Sequence, residues 1–125
     1  MEYVKSFRDL EVYKLARQLS REIFEITKKF PKEEMYSLTD QVRRSSRSVG
    51  AQIAEMWAKR KYEKHFVSKL TDADGEQLET QHWIETAVDC SYISTEVAEG
   101  LLERYQSVGK MLKSMINKAD TFCNR

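Results

Sequence analysis

The sequence predicts an all-α fold, an antiparallel up-down-up-down four-helix bundle formed by a single domain over residues 1–125. Four glycines and one proline leave few residues for turns, and a composition rich in good helix formers favours helices over strands. Apolar residues recur at helical spacing in four successive stretches. Because the links between these stretches are short, consecutive helices are expected to be antiparallel neighbours.

The first helix is expected over residues 9–29, with Asp9 as its N-cap. It ends before Pro31, because the residue that precedes a proline is biased away from the α region. Phe30 is then expected to fold back onto the end of the bundle. The apolar stripe of this helix comprises Val12, Leu15, Ala16, Leu19, Ile23 and Ile26.

The second helix is expected over residues 37–60, where Ser37 and Asp40 form a weak version of the capping box. A second face of this helix carries only small side chains, which permit a close contact with another surface. That face is the expected interface of a homo-oligomer. Its residues are Gly50, Ala51, Ala54 and Ala58, and the core-facing stripe comprises Leu38, Val42, Val49, Ile53, Met56 and Trp57.

The third helix is expected over residues 63–90, and its boundary with the second helix rests on helical phase alone. Gln77, Thr80 and Gln81 interrupt its apolar face, so these side chains are expected to form a hydrogen-bonded polar layer in the core. The rest of that face comprises Phe66, Leu70, Ala73, Ile84, Ala87 and Val88.

The fourth helix is expected over residues 95–120, capped by Ser94 or Thr95. Its apolar stripe comprises Val97, Leu101, Val108, Leu112, Met115, Ala119 and Phe122. Across the four helices, the residues expected at the centre of the core are Leu19, Ile23, Val42, Val49, Ile53, Leu70, Ile84, Val108 and Leu112.

The charge balance excludes a chain that is basic overall. Lys+Arg 21 nearly cancels Asp+Glu 20, so any site for a polyanion must be a local patch. No apolar run approaches the length of a membrane span, and the start of the chain lacks the apolar region of a signal peptide. Cys90 and Cys123 have no metal-type spacing and are typical of reduced thiols. We therefore expect a cytoplasmic protein that makes no membrane contact.

One motif could suggest a metal enzyme. Glu79-x-x-His82, preceded by Glu76, is the spacing that di-iron carboxylate bundles use. Such a centre needs a second copy of the motif, and the other histidine, His65, has no glutamate three residues before it. Nucleophile and phosphate-loop motifs are also lacking. The sequence thus favours a non-enzymatic protein without metal or cofactor, and a carboxylate-bridged metal enzyme is kept only as a remote alternative.

A basic set on the second helix is the candidate nucleic-acid site. Arg43, Arg44 and Arg47 could bind phosphates, together with Lys61 near the end of that helix. The alternative is that Arg43 or Arg47 forms ion pairs with acidic residues of the third helix. Those acidic residues are Asp72, Glu76 and Glu79.

Four ordered blocks resemble a known family. DLEVYKLA at 9–16, FPKEEMYSLTDQVRRSSRSVGAQIAE at 30–55, FVSKL at 66–70 and ETQHWIETAVDCSYIS at 79–94 are similar to the S23-type four-helix-bundle proteins. That family is named after the protein encoded by intervening sequences of the 23S ribosomal RNA. The sequence departs from it at Met56, where the family often has glycine after Asn-Ile-Ala-Glu.

The resemblance implies a bacterial homopentamer in which five bundles surround a channel. Relatives include the accessory variability determinant of diversity-generating retroelements, which associates with a reverse transcriptase and its RNA. The resemblance therefore implies a scaffold that associates with RNA or DNA, with Arg43, Arg44 and Arg47 repeated around the oligomer axis. An oligomeric scaffold for a protein partner, without nucleic acid, stays as the alternative.

Overall fold

The computed structural model describes residues 4–123, and this part of the chain contains helices and no strand. Two short 3-10 helices, Phe7–Asp9 and Lys32–Glu34, precede the first and second long helices. The helices are α1 (Glu11–Thr27), α2 (Leu38–Ala58), α3 (Glu63–Asp89), α4 (Thr95–Asn117) and the short α5 (Ala119–Phe122). The prediction of an all-α fold is confirmed.

The four long helices contact one another in a ring. Helices α1 and α3 each pack against both α2 and α4. Between α2 and α3, Arg44 lies beside Glu79 near one end, and Glu55 lies beside Lys69 near the other. Such pairings are compatible with the up-down-up-down bundle that the sequence predicts.

The core lies between the four long helices, and the nine residues predicted for its centre are all buried. The predicted stripe of α4 is wrong at its start, because the side chain of Val97 is 45% exposed. Leu101 is buried as predicted, and Ala98 and Tyr105 share its face in place of Val97. One residue of shift turns a helical side chain by about 100°, so Val97 lies outside the face that begins at Ala98.

Two predicted N-caps differ from the structure. Asp9 lies in the 3-10 helix, and Leu10 takes the N-cap position of α1 without a side-chain hydrogen bond. Ser37 does precede α2, but its side chain caps nothing. The Leu38 amide donates instead to Glu34 Oε1 at 3.2 Å. Only the predicted cap at Ser94 is confirmed, since its hydroxyl accepts from the Val97 amide at 3.2 Å.

The predicted polar layer lies on two sides of α3, because Thr80 faces α2 whereas Gln77 and Gln81 face α4. Thr80 Oγ1 lies 2.9 Å from Ser45 Oγ, and both residues are buried. Gln81 donates to Gln77 Oε1 at 2.7 Å, and Gln77 donates to Asp74 Oδ1 at 2.9 Å. These bonds satisfy buried polar groups, so the layer fixes the register of α3.

Phe30 packs at the end of the bundle, as predicted. Its ring centroid lies 5.3 Å from that of Tyr92 in the link between α3 and α4. The Tyr92 hydroxyl donates to Glu34 Oε2 at 2.8 Å, and this hydrogen bond raises the pKa of Tyr92 to about 12. The links at this end of the molecule are thereby held together.

Candidate nucleic-acid interface

A cationic groove runs between α1 and α2. On α1, Arg17, Arg21 and Phe24 are spaced i, i+4 and i+7, which places them on one helix face. On α2, Arg43 and Arg47 are spaced i, i+4 and face the same seam. We call the surface the α1–α2 groove. It is lined by Phe7, Tyr13, Arg17, Ser20, Arg21, Phe24, Glu25, Arg47, Gly50, Ala51 and Ala54, with Arg43 above Phe24.

The upper part of the groove is built around the Phe24 ring. The guanidinium carbon of Arg43 lies 4.6 Å from the ring centroid, and that of Arg47 lies 5.6 Å from it. Arg43 Nε donates to Thr27 Oγ1 at 2.7 Å. Because Thr27 is buried and its hydroxyl also bonds to the Ile23 carbonyl at 2.8 Å, Arg43 is held from two sides.

This arrangement corrects the predicted ion pairing. Arg43 and Arg47 do not contact the acidic side chains of α3, because Phe24 and Thr27 hold them on the α1 side of α2. Arg44, one residue further round the helix, pairs with Glu79 at 3.1 Å. The structure thus separates Arg44 from the other two arginines of the predicted cluster.

The remaining acidic candidates are placed elsewhere. Glu76 Oε2 accepts from Ser48 Oγ at 3.0 Å, and Glu76 Oε1 is buried with no hydrogen-bond partner among residues 4–123. Asp72 is exposed and makes no ion pair within the described chain. Neither carboxylate therefore neutralises an arginine of the groove.

The groove arginines keep their charge uncompensated. Within residues 4–123, no carboxylate forms an ion pair with Arg17, Arg21, Arg43 or Arg47. Glu25 borders the upper end but pairs with Lys28 at 3.2 Å. Cations grouped around one ring lie within a Debye length of about 8 Å, so salt screens their combined field only partly.

The lower part of the groove has a volume of about 210 Å³ and is lined by aromatic rings. Phe7 and Tyr13 make an edge-to-face contact with ring centroids 4.9 Å apart, and Arg8 lies over the Phe7 ring at 4.5 Å. A Cβ atom on Gly50 would lie 3.7 Å from Tyr13 Cε1. The predicted small-residue face is therefore a groove wall in part: Gly50, Ala51 and Ala54 line it.

Two further predicted site residues lie outside the groove. Lys61 follows α2, whose last residue, Ala58, lies about 22 Å along the helix from Arg43. The Lys61 Nζ atom is 6.0 Å from the Tyr62 ring centroid. Ala58 is exposed near the same end. The preceding Arg60 stacks on Trp57 at 3.7 Å and donates to its carbonyl at 2.9 Å.

Sequence reasoning missed Arg17, Arg21 and Phe24. The available signal was their i, i+4, i+7 spacing on the polar side of α1, opposite the apolar stripe. An arginine pair on one helix gives no information about which neighbouring helix it faces. Only the packing of α1 on α2 shows that the arginines of the two helices line one groove.

The Glu79-x-x-His82 motif is occupied by other contacts. Glu79 Oε2 accepts from Arg44 and from Trp83 Nε1, and the His82 ring lies 4.7 Å from that of Trp83. Over residues 4–123, no three His, Cys, Asp or Glu side chains are grouped to hold a metal ion. In the same part of the chain, no helix combines the length and apolar character needed to cross a membrane.

The fold and the groove define an all-helical protein with a cationic surface between two adjacent helices. Residues 8–114 match the family model of the 23S rRNA-intervening sequence protein, and the chain belongs to this family. It is similar to a solved protein of unknown function from the S23 ribosomal protein family of Bacteroides thetaiotaomicron VPI-5482. The two are 26% identical with a TM-score of 0.75, over 85% of this chain and 95% of the other. A search of curated proteins finds no match.

Proposed function

We propose that this protein is a non-enzymatic, homo-oligomeric scaffold, an antiparallel four-helix bundle that binds the phosphates of a nucleic acid in the α1–α2 groove. The observation that carries the proposal is the convergence of Arg17, Arg21, Arg43 and Arg47 without a carboxylate partner. The family description, which refers to 23S rRNA, supports RNA as the ligand.

The chemistry of the groove suits phosphate. A guanidinium presents several donors in a rigid fork that matches phosphate oxygens. Phe24 and Thr27 restrict the Arg43 side chain before binding, so less conformational entropy is lost when a phosphate arrives. Contacts of this kind position a nucleic acid without reading its bases. We therefore expect binding that depends steeply on salt and weakly on sequence.

Oligomerisation is part of the proposal. A single copy has a net charge of +1, so its long-range field is weak. Repetition of the groove around a symmetry axis would multiply the local positive charge. The resemblance to the S23-type proteins supports a pentamer, and it also supports a role as accessory to a reverse transcriptase and its RNA. Light scattering should report the pentamer mass, and a monomer at micromolar concentration would contradict this part of the proposal.

The binding test compares two pairs of charge removals by fluorescence anisotropy with a labelled RNA. Arg21→Gln combined with Arg47→Gln should weaken binding at least tenfold. The matched control, Lys59→Gln with Lys61→Gln, removes two exposed cations outside the groove and should change affinity less than threefold. If the parent protein binds no RNA at low salt, the proposed function is wrong.

A second candidate function has its own observation. Gly50, Ala51 and Ala54 leave room in the lower groove, where another copy of the chain or a protein partner could pack closely. In that case the protein would be an oligomeric scaffold with no nucleic-acid role. A bulky side chain at Ala54 would then dissociate the assembly, and neither the parent protein nor the variant would bind nucleic acid.

A further inference from the structure

We propose that the α1–α2 groove takes a single strand of nucleic acid in preference to a duplex. This inference rests on the proposed function and specifies its ligand. It is carried by three features of the groove: its small volume, the order of its arginines and the aromatic rings at its lower end.

The small size of the groove favours a single strand. Its upper part has a volume of about 420 Å³ and its lower part about 210 Å³. A duplex is convex and far wider than such depressions, so its backbone would touch only their rims. A single strand can place one phosphate or one base in each part, against the small side chains of Gly50, Ala51 and Ala54.

The arginines follow one another along the groove. Thr27 lies beside Arg43, and Tyr13 lies beside Gly50, so the upper groove ends at Arg43 and the lower groove at Tyr13. Between those ends, Arg47 is shared by both parts of the groove. Arginines spaced i, i+4 rise by about 6 Å, which is comparable to the separation of neighbouring phosphates on one strand.

Aromatic rings lie at the lower end of the groove, beyond the row of arginines. Phe7 and Tyr13 are half-buried and line the lower groove beside Arg17. Because Arg8 covers one face of Phe7, Tyr13 is the ring that is offered to a base. A cationic groove that tracks the backbone, joined to aromatic rings on which bases stack, is the usual design of single-strand binders. Phe24 does not stack on bases, because Arg43 and Arg47 cover its ring. It holds the arginines that bind phosphate, and the bases stack in the lower groove.

The experiment measures the affinity of the full chain for one RNA oligonucleotide as a single strand and as a duplex with its complement. We expect the single strand to bind at least tenfold more tightly. Ala54→Trp, which fills the lower groove, should weaken single-strand binding at least tenfold. Ser68→Trp, at an exposed position of α3 outside the groove, should leave it unchanged. If Ala54→Trp fails to fold, Ala51→Glu at an exposed wall position provides the same test.

Each other outcome overturns a defined part of the account. Equal or tighter binding of the duplex overturns the single-strand inference and leaves the proposed function standing. Absence of binding to either RNA overturns both. If Ala54→Trp converts an oligomer into a monomer, the lower groove belongs to a second copy of the chain, and the single-strand inference is wrong.

Discussion

The guanidinium carbon of Arg43 lies 4.6 Å from the centroid of the Phe24 ring, and its Nε donates to Thr27 Oγ1 at 2.7 Å. These two contacts direct Arg43 toward α1. Glu79 of α3 is thereby left to Arg44, and Glu76 to Ser48. One aromatic ring on α1 thus keeps a cation of α2 available for a ligand.

Phe24→Leu should weaken RNA binding without unfolding the protein. The substitution keeps an apolar side chain but removes the ring under Arg43 and Arg47, an interaction that contributes roughly 0.5–2 kcal/mol at each site. We expect a loss of affinity of about three- to tenfold in anisotropy titrations. The matched control is Phe30→Leu, whose ring contacts Tyr92 away from the groove. Equal losses in the two variants would show that Phe24 does not support the site.

Gly50→Ala and Gly109→Ala should change stability in opposite directions. Both glycines lie inside helices, where alanine is favoured by about 1 kcal/mol. A Cβ atom on Gly50 would meet Tyr13 at an ordinary 3.7 Å, whereas one on Gly109 would lie 2.9 Å from Gln77 Nε2. Gln77 cannot move away freely, because it is bonded to Asp74 and Gln81 in the polar layer.

Urea denaturation should therefore show a gain of about 0.5–1 kcal/mol for Gly50→Ala and a loss of about 1–2 kcal/mol for Gly109→Ala. A stabilising Gly109→Ala would mean that the Gln77 side chain can be displaced at no cost. It would also show that the polar layer does not fix the packing of α3 on α4.

Tyr105→Phe should stabilise the fold. Tyr105 is fully buried, and its hydroxyl has no hydrogen-bond partner among residues 4–123. Burial raises the pKa of this phenol well above its usual 10.0, which reflects the same loss of hydration. Removal of an unsatisfied buried polar group should gain about 1 kcal/mol. If a thermal melt shows that Tyr105→Phe destabilises the protein by more than that amount, the Tyr105 hydroxyl must have a hydrogen-bond partner.

The ion pair between Glu22 and Arg104 should make stability depend on pH. The Arg104 Nη1 and Nη2 atoms donate to the Glu22 carboxylate at 2.6 and 2.7 Å. These hydrogen bonds lower the pKa of Glu22 below its ordinary 4.5. Because the pKa of Glu22 is lower in the folded state, the ion pair contributes its full stability at any pH above the pKa of the unfolded state. This stability is lost as the pH falls through the pKa of the folded state.

Because both side chains are about one-third exposed, the pair contributes no more than about 1 kcal/mol. The stability difference between the parent protein and Glu22→Gln should therefore be constant from pH 7 to about pH 5 and shrink below pH 4.5. A difference that stays the same at pH 3 would show that the carboxylate charge is not what stabilises the seam between α1 and α4.

The fold could be predicted from periodicity because burial imposes a repeating pattern on each helix. Leu19, Ile53 and Leu112 follow this pattern, and each is fully buried. Helix ends were less predictable, since Leu38 is capped by Glu34 from the preceding turn, and not by Ser37. Nearby acceptors compete for the same backbone amide, and sequence spacing alone does not predict which of them accepts its hydrogen bond.

The sequence predicts only the part of the candidate site that lies on α2. Arg43 and Arg47 could be selected by their spacing on α2, but their partner helix could not. The contribution of α1 depends on how far α1 is rotated against α2, which is a property of the packed pair. The orientation of Arg44 away from the groove has the same origin, because a shift of one residue turns a side chain from one neighbouring helix to the other.

The most direct test of the α1–α2 groove is the dependence of RNA affinity on salt. The slope of log K against log salt counts the phosphates neutralised, at about 0.7 per contact for a single strand. In Arg17/Arg21/Arg47→Gln, the slope should fall by about 2 and affinity should fall at least tenfold. In Lys59/Lys61/Lys64→Gln, which removes the same charge from the far end of α2 and the start of α3, the slope should match that of the parent protein. An unchanged slope in the arginine variant, or an equal fall in both, would contradict phosphate binding in the groove.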